Sequence, residues 1–212
     1  MQINLHFPQQ RRIDSTHRSD TTYREATMKD PIKKWHEEHA RFARLLEYLA
    51  AQMTAFHEGG DPDYDLIADI VQYLKEYSDC QHHQREDVAF AILAERDPTL
   101  APLVKRLAHE HRVIDNVGSS LHDLLVCVLN DGVISRASLE GAAATYLVYY
   151  RAHIESEESQ VLPAAARLLT DSDWKAVADA VPSVPDPLFG AEVGLTYRAM
   201  RAQLLADATA PH

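Results

Sequence analysis

The stretch DCQHHQREDVAFAIL, residues 79–93, sets two adjacent histidines, His82 and His83, ahead of the acidic pair Glu86-Asp87 inside a helix-forming segment. A helix repeats every 3.6 residues, so His82 and Glu86, four apart, stack on one face. That face is also the one the flanking apolar residues require: Ile67, Val71, Leu74 and Ser78 lead into His82 and Glu86, and Ala89 and Leu93 continue the stripe. An isolated buried imidazole or carboxylate costs several kcal/mol. The placement therefore makes sense only if other helices bring compensating groups to the same depth.

Three more segments do so. The spacing predicts a first helix opened by Asp30 and Pro31, with Ile32, Trp35, His39, Phe42, Leu46, Leu49, Met53 and Phe56 inward and a stop before Gly59-Gly60. Asp61-Pro62 is expected to start the second helix, which contains the quoted stretch. A third begins near Thr99 and carries Val104, Leu107, His111, Ile114, Gly118, Leu121, Leu125 and Val128, ending at Asn130-Asp131-Gly132. A fourth begins around 135–138 and carries Ala143, Tyr146, Tyr150, His153, Glu157, Val161, Ala164 and Leu168, with Pro163 kinking its last turns. These stripes follow the three-four spacing of core-facing helices, and short connections make neighbours antiparallel. The expected fold is all-α: an up-down-up-down four-helix bundle over residues 30–170. Residues 1–29 read as a flexible arm, and residues 171–212 as a helical extension packed on the bundle, with helices near 174–180 and 190–207.

Each inner stripe carries one histidine where a large apolar residue is otherwise demanded. Counting out from the turns at ~1.5 Å per residue puts His39, His82, His111 and His153 within roughly one helical turn of a single plane. Glu86 and Glu157, each four residues after a histidine, lie about one turn from it. Six such groups at one level point to a polynuclear metal site. His36 and His83 lie near it but off the stripe, as the two candidates for a fifth nitrogen. His109 faces away, His122 is about three turns distant, and His57 suits the C-terminal dipole of its helix. Imidazole and carboxylate without thiolate favour iron or manganese over a closed structural zinc site. Glu-x-x-His pairs, the mark of ferritin-like di-metal bundles, are absent from these helices.

Composition narrows the partners. A formal charge of −11 disfavours nucleic acid and anionic membranes. No apolar run reaches the ~18 residues of a membrane span. The two cysteines, Cys80 and Cys127, form no CxxC and no disulfide framework, which suits the cytoplasm.

The segments WHEEHARFARLLEYL, HHQREDVAFAIL, HEHRVIDNVGSSLHDLL and HIESEESQVLP, in this order, resemble the hemerythrin-like, or HHE cation-binding, family over residues 32–169. The resemblance implies a non-haem centre of two iron ions with carboxylate bridges, with manganese or zinc as substitutes in recombinant protein. It places the ligands on His39, His82, Glu86, His111, His153 and Glu157. It also implies binding of a diatomic ligand (O2 or NO) or peroxide. Oxygen-carrying members use five histidines, two of them four apart on the third helix; here Leu107 and Asp115 flank His111 at that spacing. This departure moves the expectation from oxygen carriage toward sensing or detoxification. An iron-centre repair or peroxide-reducing enzyme and a metal-stabilised interaction module are the alternatives.

Overall fold

The computed structural model describes residues 31–209, and the expected arm and the Asp30 cap lie outside them. Among the described residues there are helices and no strands. Helix α1 spans Pro31–His57. Gly59, at φ +82°, closes it in the left-handed conformation that glycine adopts without a Cβ penalty, and Gly60 N–H returns to Ala55 O at 2.8 Å.

The second bundle helix begins at α2, Tyr64–Tyr73. Its cap is Asp63, not the expected Asp61: the Asp63 carboxylate accepts from Leu66 N–H at 2.9 Å, while Asp63 N–H donates to Gln52 Oε1 on α1 at 2.8 Å. Asp61-Pro62 stays in the turn. The α ladder then gives way to a π-helical segment, Leu74–His82, before α3, His83–Arg96. Its i→i+5 bonding, seen in His83 N–H to Ser78 O, accommodates extra residues and shifts the inward face. An unbroken α-helix would turn His83 about 100° from His82. Here both are buried, at 0% and 4% exposure.

Asp97 caps a short 3₁₀ turn, Pro98–Leu100, that leads into α4, Ala101–Leu129. Ser135 caps α5, Arg136–Ser156. A second π segment, Glu157–Val161, follows before α6, Leu162–Leu168. Pro163, where the sequence predicts a kink, has no N–H to return to the preceding turn, and the π-helical ladder lies just ahead of it.

The C-terminal part joins the core. Helix α7, Asp171–Ala180, starts with a reciprocal Thr170–Asp173 capping box, and Arg96 donates to Asp173 Oδ1 at 2.8 Å. The last helix, α8, spans Arg198–Thr209 and begins later than the sequence spacing suggests. A loop held by Asp186 precedes it: the Asp186 carboxylate accepts from Leu188 N–H, Phe189 N–H and Tyr73 Oη–H. Leu188, Tyr197, Met200 and Leu204 enter the larger of two apolar clusters, and Val177 enters the smaller.

The two clusters are separated by a polar layer. On the four bundle helices the chain passes from one cluster to the other across His39, across His82 to Glu86, across His111, and across His153 to Glu157. Hydrophobic packing above and below thus fixes the depth of the titratable groups. No helix among the described residues is long and apolar enough to cross a membrane.

Candidate metal centre

The six expected site residues are all buried and all in this layer. Their inward atoms fall into two adjoining groups. In the first, His39 Nε2 and His82 Nε2 are 2.8 Å apart, and Glu86 Oε1 lies 3.3 Å and 3.0 Å from them. Glu157 Oε2 approaches His39 Nε2 at 3.4 Å. In the second, Glu157 Oε1 lies 3.4 Å from His111 Nε2 and 3.2 Å from His153 Nε2, while Glu86 Oε2 is 3.7 Å from His111 Nε2. Each carboxylate therefore turns one oxygen to each group.

His83 completes the second group. Its ring stacks on His111 with centroids 4.2 Å apart, and a ligand atom of each of His83, Glu86, His111 and His153 lies within 4.8 Å of the others. The same holds for His39, His82 and Glu86. His36, the other candidate for a fifth nitrogen, is not brought in: it is exposed and pairs with Glu158. His109 is exposed, as expected, and His122 lies outside both groups.

The outward ring nitrogens are what sequence reasoning missed. Glu38 on α1 accepts from His82 Nδ1 at 2.7 Å, and Asp87 on α3 accepts from His111 Nδ1 at 2.9 Å. Glu110 on α4 accepts from His153 Nδ1 at 3.1 Å, and Glu158, from the fourth bundle helix, accepts from His39 Nδ1 at 2.7 Å. Each bundle helix thus lends one carboxylate to the histidine of the next, and the ring closes on itself. In the neutral ring such bonds fix the tautomer that turns the Nε2 lone pair inward, and they raise its basicity. Within the second helix Asp79 Oδ1 lies 3.1 Å from His83 Nδ1. A signal was present: Glu38, Asp87, Glu110 and Glu158 each stand one residue from an inward-facing ligand candidate.

Electrostatics point the same way. Burial disfavours charge on His39 and His111, yet the surrounding carboxylates outweigh it and push both up to about 10. For His39 these are chiefly Glu158 and Glu86, and for His111 Asp87 and Glu157. Burial opposes ionisation of Glu86 as well, but His82 and His39 hold its carboxyl well below the usual range. His83 goes the other way: burial and the neighbouring His111 and His153 keep it neutral. Protons on imidazoles thus supply the positive charge that the two central carboxylates need.

Among the described residues, both oxygens of Glu86, both of Glu157, and Nε2 of His111 and His153 are buried without a hydrogen-bond partner. Buried polar atoms are rarely left so, and these six converge on two points. Cations at those points would satisfy them all. The donor separations suit the role, since neighbouring ligands about 2.1 Å from an octahedral ion are about 3 Å apart. The sequence, moreover, matches the model of the hemerythrin HHE cation binding domain over residues 30–165. The chain belongs to this family. Comparison with curated proteins and with solved structures gives no match. The hemerythrin domain accounts for the whole bundle up to α6, and α7, the Asp186 loop and α8 lie beyond it.

Proposed function

We propose that this hemerythrin-family chain is a cytoplasmic non-haem di-iron protein that binds O2, NO or peroxide for sensing or detoxification. The observation that supports it is the pair of buried donor groups sharing Glu86 and Glu157, each carboxylate with one oxygen toward each group. In this reading His39, His82, Glu86 and Glu157 hold one ion, and His83, His111, His153 and the same two carboxylates hold the other. Oxygen and imidazole donors without thiolate suit iron or manganese. Iron held there would supply reversible one-electron chemistry and an exchangeable coordination position.

The chain's own residues set the conditions for that chemistry. The side with two imidazoles offers one protein donor fewer, so a small ligand would find room beside His39 and His82. Phe42 and Trp35 pack edge-on to the His82 ring, at 5.1 Å and 6.0 Å between centroids, and line that side with aromatic walls. Such walls favour a small, weakly polar ligand over a large anion. On the other side, Tyr150 Oη is hydrogen-bonded to Ser78 Oγ, which also meets His83 Nε2 at 3.3 Å, so hydroxyl groups lie within reach of the three-imidazole side.

Loading metal-free protein with Fe2+ under nitrogen and then adding NO, O2 or azide tests the reading. A saturable optical change is expected with at least one of them, lost when His39 or His82 is replaced. Full iron content without any spectral response would leave a metal-stabilised interaction module as the better description.

A further inference from the structure

The histidine excluded from the centre has its own arrangement. His36 stands three residues before His39 on α1, so the two share a face. Glu158 reaches between them, with Oε1 2.7 Å from His39 Nδ1 and Oε2 2.6 Å from His36 Nδ1. One carboxylate therefore joins a buried imidazole, 3% exposed, to one whose side chain is 46% exposed.

The other carboxylates behind the ring do not do this. Glu38 and Asp79 are 1% and 7% exposed at the side chain, so neither opens to solvent. Glu110 is 18% exposed and is also held by Arg106 at 2.8 Å, a cation where an incoming ion would have to pass. Asp87 is more open, at 48%, but has no second imidazole outside it. Among the described residues, His36 with Glu158 is where nitrogen and oxygen donors face water within one side chain of the centre.

We infer that His36 and Glu158 form the entry point for divalent cations, a two-donor waypoint that captures a hydrated ion and passes it inward beside His39. The inference rests on the di-metal reading above. A cation replaces the hydrogen bond between His36 Nδ1 and Glu158 Oε2, the ring proton shifting through solvent to Nε2, and water completes the ion's shell. Two protein donors bind a hydrated ion weakly enough to release it, whereas the inner groups offer four or five. The formal charge of −11 concentrates cations around the molecule. The waypoint gives that excess a place to enter.

Uptake of Co2+ by the metal-free full-length chain, followed by its visible absorption in a stopped-flow instrument, tests this. His36→Ala should load roughly 10-fold more slowly, the low end of what a surface capture site adds to an on-rate, and reach the same final stoichiometry. His57→Ala is the control, because His57 forms an exposed pair with Glu140 at 3.1 Å, far along the same helix; it should load at the wild-type rate. Wild-type loading by His36→Ala overturns the inference. So does a lower Co2+ content at saturation, which would make His36 a mere prop for Glu158 and His39. Failure of the wild-type chain to take up Co2+ is distinct from both and overturns the di-metal reading itself.

Discussion

Glu86→Ala is expected to take iron from about two ions per chain to near none and to lower the stability of the metal-free bundle by about 3–5 kcal/mol. Both effects have one origin. Glu86 faces His39 and His82 with one oxygen and His111 with the other, so its removal takes a donor from each ion position. Without metal, it also leaves His39 cationic in the core with one counter-charge fewer. Asp87→Ala, one residue on, should act differently. Asp87 is half exposed and touches only the outward nitrogen of His111. Its loss should leave the ion count unchanged while weakening affinity about 10-fold. Metal analysis and denaturant titration of the two variants check this. An Asp87→Ala protein empty of iron beside a loaded Glu86→Ala would reverse the helical register on which the centre is built.

Glu38→Ala should produce the second large loss, through stability more than through metal count. Glu38 is 1% exposed and accepts from Tyr77 Oη–H at 2.9 Å, from His82 Nδ1 and from Arg85 at 3.2 Å. Burial alone would raise its pKa, but His82 and Arg85 overcome that and hold it at about 2. Alanine there strands the Arg85 guanidinium, itself 7% exposed, without its anion. Removing one member of such a pair costs about 3–5 kcal/mol, or on the order of 10 °C in Tm for a chain of this size. Replacing Arg85 by methionine in the same protein should recover much of that loss, because the uncompensated charge goes with it. If the double variant melts no higher than Glu38→Ala, the penalty lies in His82 or Tyr77 instead.

The bundle was legible because its signal is redundant. Each long helix repeats the same three-four spacing over several turns, and the six inner ligand candidates stand where that spacing demands large apolar residues. The match in depth could be counted from the turns because the connections are short. The site's finer construction was less legible, for identifiable reasons. His83 reaches the centre at the end of the π-helical stretch Leu74–His82, where an α period counted straight through turns its ring to a flank. The carboxylate ring has the same character: Glu38, Asp87, Glu110 and Glu158 look like solvated neighbours of the stripe until the facing helix shows which histidine each one holds. His36 lay within reach of the centre by sequence, and the exposed side of α1 decides its different place.

The acid-to-neutral charge balance links these observations. Four imidazoles face two central carboxylates, and a fifth, His83, stays neutral beside them. Protons and cations compete for the same inward nitrogens, so metal affinity should rise with pH until His39 and His111 deprotonate near 10. The proton-held form owes part of its stability to those raised values. That contribution is full below their ordinary value and falls away as the pH climbs through the raised one.

The ratio of metal to chain in freshly isolated protein from iron-replete cells, grown without added zinc or cobalt, bears most directly on the centre. About two ions per chain, mostly iron, are expected from donor groups that share both carboxylates. A reproducible single ion in a tetrahedral site, with Glu157→Ala leaving it in place, would contradict the shared di-metal centre.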